Sequence, residues 1–343
     1  MKTIFIVDDN KTNLLSAKEA LGGTYKAFAL DSAARMFKLV EKIIPDLILL
    51  DIKMPDMDGF EAIKLLKEHE NQKVRAVPVI FLTSVNNEES EMKGFELGAV
   101  DFINKPFSVP ILLKRIELHI ETDKLIKNGQ KALRKIQNAT VEVVANMVDR
   151  RDKITGSHSG RVQIYMEILV KELVRMGIYA DEISSWDMDL FLPSGQLHDV
   201  GKICISDIIL KKQARLEEEE FELVKLHCDE GVSIIDEIIR KSEDDGFLRH
   251  AKKFASSHHE KWDGSGYPKG LKGEEIPLHG RILAIADVYD ALVSERPYKK
   301  PYSHEKAVEI IKEDSGTHFD PKIVEAFLSA ADDFWIVSTM ERN

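Results

Sequence analysis

Two adjacent histidines, His258 and His259, run directly into the glycine-rich stretch Glu260-Lys261-Trp262-Asp263-Gly264-Ser265-Gly266-Tyr267-Pro268. Neutral imidazole is the commonest protein ligand for a transition metal. A helix that ends on a Gly-x-Gly loop would aim both rings at one point and leave open space beside it. A histidine pair alone is more often a solvated helix end. Two further stretches shift that balance, His198-Asp199 in QLHDVGK and Asp287 in RILAIADVYDAL. Each sets a ligand-type side chain in an apolar run, and buried ionisable groups are rare unless paired or metal-bound. His158 in TGSHSGRV and His227 in KLHCDEG extend the set over five segments. That is more donors than one tetrahedral zinc takes. Imidazole and carboxylate without thiolate suit iron or manganese in higher coordination. Neighbouring residues on a helix stand about 100° apart. His198 and Asp199 therefore read as two edges of a wedge toward a core, with the carboxylate bridging two metals and the histidine on one of them.

A second constellation lies in the first third of the chain. Asp8 and Asp9 follow one apolar run, Asp51 another, Thr83-Ser84 a third and Lys105-Pro106 a fourth. Converging carboxylates repel unless a hard cation such as Mg²⁺ holds them. A carboxylate beside Mg²⁺ and a lysine is a reasonable phosphoryl acceptor, because both cations neutralise the incoming oxygens. The Thr83 hydroxyl could bind the new group and report its presence.

The elements that must position these groups differ along the chain. Short β-rich runs at 3–7, 25–30, 46–50, 77–82 and 100–103 alternate with helical patterns such as 12–21 and 59–69. Five alternations predict an α/β doubly wound, five-stranded parallel sheet. Such a sheet gathers functional groups beyond the carboxyl ends of its strands. From 108 to 150 the pattern is helical, with Asn128-Gly129 as a plausible break because glycine is costly inside a helix. Its apolar spacing of threes and fours offers a face for a second copy in a short coiled coil, so a homodimer through this connector helix is expected. Beyond about residue 140 strand signals nearly vanish and an all-α bundle is predicted. The acids at 217–220 suit the solvated first turn of a helix.

The 343 residues are 43% hydrophobic and 31% charged, enough for two soluble domains. A net charge of −11 argues against DNA as a partner. Cys204 and Cys228 lack metal-type spacing and fit a reducing compartment. The apolar run at 3–7 is too short for a signal peptide, and no stretch is long enough to insert in a membrane. The expected location is cytoplasmic.

Residues 1–122 resemble a response-regulator receiver domain, on VDD at 7–9, LLDIKMPDMDGFE at 49–61, LTS at 82–84 and INKPF at 103–107. The resemblance implies a flavodoxin-like sheet with Asp51 as phosphoacceptor and a sensor histidine kinase as partner. It implies Asp8 and Asp9 as acids of a Mg²⁺ site, with Lys53 supplying a backbone carbonyl to that metal. Thr83 becomes the switch hydroxyl, Lys105 the phosphate contact, and Phe102 a rotating aromatic. After a helical connector over 123–140, residues 141–343 resemble the HD-GYP family, a subgroup of HD-domain metal phosphohydrolases. The carrying motifs are TGSHSGRV, HDVGK, LHCDEG, HHEKWDGSGYP, RILAIADVYDAL and SERPY. This resemblance implies an HD-domain helical bundle that hydrolyses cyclic di-GMP to pGpG, with a further cut to GMP left open, under control of Asp51 phosphorylation. It implies metal ligands at His158, His198, Asp199, His227, His258, His259 and Asp287. It implies substrate contacts at Lys202, Tyr267 and Arg296, with Asp199 and Lys202 carrying the catalysis and Asp290 supporting a ligand. Two divalent metals are expected, iron or manganese first, with zinc, nickel, cobalt or magnesium as further candidates. Some members hold a third metal with a glutamate where this chain has Ile154, so a two-metal centre is expected. Cys228 stands where the family often has proline and reads as packing. The alternatives are a phosphohydrolase for another nucleotide, and a catalytically silent module that binds nucleotide or protein.

Overall fold

A computed structural model describes residues 1–84, 88–151, 158–212, 214–242, 246–295 and 300–340. Two sequence expectations, the roles of Ile154 and Arg296, lie outside the described residues. The chain divides into two compact units, residues 1–133 and 134–343.

The first unit runs β1 (Thr3–Val7), α1 (Lys11–Leu21), β2 (Lys26–Leu30), α2 (Ala33–Val40), β3 (Leu47–Asp51), α3 (Gly59–Lys67), α4 (Gln72–Arg75), β4 (Val79–Thr83), α5 (Glu88–Glu96) and β5 (Asp101–Asn104). All five strands are parallel, in the order β2-β1-β3-β4-β5. Every residue of β3 and β4 is buried, as continuous apolar runs require when helices cover both faces. Alternate side chains feed two cores. Phe5, Ile48, Leu50 and Phe81 pack on one side, and Ile4, Ile6, Leu49 and Ile80 on the other. Asn10, Ser32 and Asp58 cap α1, α2 and α3 by accepting from first-turn backbone N–H groups. The strand order reverses between β1 and β3, which opens a crevice at their carboxyl ends. Asp8 and Asp51 sit there.

Helix α6 (Val109–Arg151) is continuous for 43 residues. The break expected at Asn128-Gly129 does not occur. A helical glycine costs only about 1 kcal/mol, and α6 is held by packing toward each end. Leu112, Ile116 and Ile120 enter the second core of the first unit, while Val141 enters a core of the second.

The second unit continues with α7 (His158–Met176), α8 (Ala180–Ser184), α9 (Met188–Ser194), α10 (Asp207–Leu210), α11 (Glu218–Lys225), α12 (His227–Ser242), α13 (Phe247–Ala255), α14 (Leu278–Val293), α15 (His304–Glu313), α16 (Pro321–Ser329) and α17 (Ala331–Met340). Glu217 caps α11 in a capping box with Glu220, which gives the acidic run a definite role. The main core sets Tyr165, Leu169 and Leu173 of α7 against Ile282, Ile285 and Tyr289 of α14. A smaller core joins Val141 to Leu197, Val200, Ile235 and Leu248. Among the described residues no helix is long and apolar enough to cross a membrane.

Candidate metal centre

Ligand-type side chains from five segments converge in the second unit. Asp199, His227, His258 and His259 form one cluster, and His158, His198 and Asp287 another, each with donor atoms within 4.8 Å of one another. His158 opens α7, His227 opens α12, and Asp287 lies in the buried α14. His258 and His259 follow the end of α13 in a turn rather than on the helix itself. His198-Asp199 does not lie on an α-helix as the sequence suggested. The pair joins two 3-10 turns, Gly195–Leu197 and Val200–Cys204, and Asp199 has φ −99° and ψ 7°. That residue leaves the helical region, so the wedge is made by a bend.

Three of the imidazoles are oriented by a far nitrogen on a backbone carbonyl. His198 Nδ1 donates to the Gly195 carbonyl at 2.8 Å, His227 Nδ1 to Val224 at 2.6 Å and His258 Nδ1 to Phe254 at 3.0 Å. A carbonyl only accepts, so those nitrogens carry protons and each ring turns its Nε2 toward Asp199. His227 Nε2 and His258 Nε2 are 3.3 Å apart. Asp199 Oδ1 lies 3.4 Å and 3.6 Å from them. Donor atoms this close to one carboxylate are the arrangement that a cation placed among them would use. His198 Nε2 and Asp199 Oδ1 are buried and have no hydrogen-bond partner among the described residues, an unusual cost that a metal would remove. Burial pushes His227 down to about 4 against the pull of Asp199. Burial and the neighbouring His258 hold His259 well below the usual histidine range. His227 and His259 are therefore neutral at pH 7, and the donor set fits divalent metals.

The second cluster is held differently. His158 Nε2 lies 3.2 Å from Asp287 Oδ1, and His158 Nδ1 lies 2.7 Å from Asp290 Oδ2. Asp290 also accepts from Arg161 at 2.7 and 2.9 Å. Burial opposes a charge on His158, but its hydrogen bonds to Asp287 and Asp290 raise it to about 10. The paired carboxylates thus favour positive charge at this point. Burial alone would raise Asp199, yet Lys202 and His198 outweigh it and keep the carboxyl well below its ordinary value. Asp199 reaches both clusters, with Oδ2 at 3.3 Å from His198 Nε2.

A cavity of about 190 Å³ adjoins the first cluster, lined by His227, His259, Lys202, Lys212 and Tyr267. Lys202 Nζ is 2.8 Å from Asp199 Oδ2. The Tyr267 ring rests on His259 at 4.7 Å between centroids. Glu260, which the sequence reading passed over, is buried and accepts from the backbone N–H groups of Lys269 and Leu271. It ties the loop that carries Tyr267 to the residue beside His259. An acid directly after the histidine pair was the available signal. Arg161 was also passed over, although it lies three residues after His158 and so shares its helix face. Cys228 is buried with its sulfur 3.6 Å from His227 Nε2, and burial pushes its thiol far up, so it packs as a neutral thiol.

In the first unit Asp8, Asp9 and Asp51 offer oxygens within 4.8 Å of one another. Lys105 Nζ joins them, 2.6 Å from Asp8 and 2.8 Å from Asp51. Burial raises Asp51 even against Lys105. Thr83 ends β4 and is buried. Lys53 lines the adjoining cleft with Asp9. Phe102 is buried in this structure, between Phe81 and Phe95.

Residues 142–323 match the family described as HD domain, and residues 4–117 the response regulator receiver domain. A probable cyclic di-GMP phosphodiesterase of Vibrio cholerae serotype O1 is 39% identical, over 97% of this chain and 78% of its own length. The cyclic di-GMP phosphodiesterase response regulator RpfG of Xanthomonas campestris pv. campestris is 32% identical, over 95% of this chain and 86% of its own. A 3'3'-cGAMP-specific phosphodiesterase 2 of Vibrio cholerae is 40% identical, over 59% of this chain and 36% of its own.

Proposed function

Because the chain belongs to the response regulators with an HD-domain output, we propose that it is a cytoplasmic phosphodiesterase that opens cyclic di-GMP to linear pGpG under control of Asp51 phosphorylation. The observation that carries this reading is the pair of ligand clusters meeting at Asp199 beside a cleft lined by Lys202 and Tyr267. Two divalent cations, iron or manganese by the donor set, would supply Lewis acidity and a water acidic enough to ionise near neutral pH. Asp199 is the carboxylate that reaches both clusters and fixes their spacing. Lys202 brings an ammonium to the cleft wall, where it opposes charge gathering on the phosphoryl oxygens. Tyr267, tilted by 34° against the His259 ring, gives a flat wall to a substrate moiety. A net charge of −11 repels a dianionic nucleotide, so these cleft cations must attract it locally. Arg296 is assigned to the same task.

In the first unit we assign Asp51 to accept the phosphoryl group of a sensor histidine kinase, with Asp8, Asp9 and the Lys53 carbonyl around Mg²⁺. Lys105 already bridges Asp8 and Asp51, so added charge at Asp51 would redistribute that lysine, and Thr83 stands by as the second contact. We also assign α6 to a homodimer seam. Ile126, Leu133, Ile136, Val143 and Met147 are exposed. With Gly129 and Thr140 they alternate spacings of three and four, the period of a coiled coil.

The test is turnover by metal-loaded protein of cyclic di-GMP, 3'3'-cGAMP and mononucleotides side by side. Preferential formation of pGpG is expected. The cGAMP relative makes that dinucleotide the competing substrate, and faster cleavage of it, or of a mononucleotide, would replace this assignment.

A further inference from the structure

The last turn of α6 makes an unusual set of contacts with the segments that carry the metal centre. Asp149 is 3% exposed. Its Oδ2 accepts from the Ser159 hydroxyl at 2.8 Å and from the Ser159 backbone N–H at 3.4 Å. Ser159 follows His158 in the first turn of α7, where free N–H groups and the helix dipole favour an anion. Two residues further along α6, Arg151 spreads its guanidinium over the end of the 3-10 turn that follows Asp199. It donates to the carbonyls of Lys202 (3.3 Å), Ile203 (2.7 Å) and Ile205 (3.0 Å), and to Asp207 Oδ1 at 2.7 and 3.0 Å. A lysine could not serve these acceptors together, because only the planar fork offers donors in several fixed directions. The side chain of Lys202 leaves the same turn and meets Asp199 at 2.8 Å.

We propose that Asp149 and Arg151 are positioning residues. Asp149 sets His158 of the second ligand cluster through Ser159, and Arg151 sets Lys202 at the cleft. One helix turn thereby holds both halves of the centre in register. The same helix carries Leu112, Ile116 and Ile120 into the core of the first unit, so this turn is where a change in α6 would reach the chemistry. The inference rests on the proposed metal centre.

The experiment uses the full chain, with metal content and kinetics measured together on wild type, Asp149→Asn, Ser159→Ala, Arg151→Lys and Arg151→Met, each at unchanged melting behaviour. Weakening of one metal site on the order of 10–100-fold is expected for Asp149→Asn, as for other groups that orient a ligand, with the same direction and a smaller effect in Ser159→Ala. Arg151→Lys should keep about two metals per chain and lose kcat about tenfold or more, with KM moving less, since the displaced group opposes charge at the reacting phosphate. Amide exchange over 200–207 should rise in both Arg151 variants. Wild-type metal content, kcat and exchange in these variants would overturn the inference alone. A wild-type chain that takes up no metal would overturn the reading of the centre, and this inference with it.

Discussion

At His158 the far nitrogen meets Asp290, and Asp290 in turn takes two hydrogen bonds from Arg161. A carboxylate in that place fixes ring orientation and raises ligand basicity. Asp290→Asn should therefore weaken the second metal site on the order of 10–100-fold, read by metal titration at constant pH. Another histidine pair has no part in the centre. His250 Nδ1 and His279 Nε2 are 2.7 Å apart, and His279 packs among Trp186, Phe191 and Phe254. Burial lowers both, with Lys253 adding to the effect. A lowered folded value means that the unfolded chain binds protons the folded one refuses once pH drops below about 6.5. The contribution of this pair should be constant above that pH and fall below it, by up to about 1.4 kcal/mol per pH unit per histidine. His250→Leu with His279→Met should make that acid limb of the unfolding curve shallower, the remainder belonging to His227 and His259; an unchanged limb would reject the assignment. The side chains that converge were legible as candidates because each stands in a polar-in-apolar context within one short segment. Their supports were not. Asp290 is 129 residues from Arg161, and no local pattern records such a pairing.

Between elements, close approach decides more than helix propensity. A Cβ at Gly201 would lie 1.9 Å from the His227 carbonyl oxygen and 2.4 Å from the Gly231 nitrogen. The 3-10 turn after Asp199 and the start of α12 can touch only because that residue is glycine. Gly201→Ala should move His227 from Asp199 and cost on the order of 1–3 kcal/mol as overpacking, seen as a lower melting temperature of the metal-loaded chain together with reduced metal content. Strands β1 to β5 were legible to within two residues, because continuous apolar runs bounded by acids admit few other readings. The bend at His198-Asp199 was not, since a 3-10 turn and an α-turn share the same short apolar pattern. The unbroken α6 was misjudged at Asn128-Gly129 because the cost of one glycine was weighed without the packing toward either end of the helix.

Across the whole molecule, two units share one helix, and the boundary between them lies inside it. A division within a continuous helix leaves no loop or composition shift to read. The apolar stripe on α6 is the face assigned above to the proposed homodimer. Leu133 is 67% exposed and Ile136 is 65% exposed, a cost that a partner helix would remove. Leu133→Glu with Ile136→Glu should convert a dimer to a monomer in light scattering while leaving the receiver sheet folded; a wild-type monomer would refute the seam. The central claim is that one carboxylate, Asp199, joins two ligand clusters into a working centre. It is tested most directly by metal content and cyclic di-GMP hydrolysis of anaerobically purified protein loaded with Fe²⁺ or Mn²⁺, beside Asp199→Ala. The account predicts about two metals per chain and pGpG in the wild type, with activity abolished and metal content sharply reduced in the variant. Full metal content or surviving turnover in Asp199→Ala would contradict it.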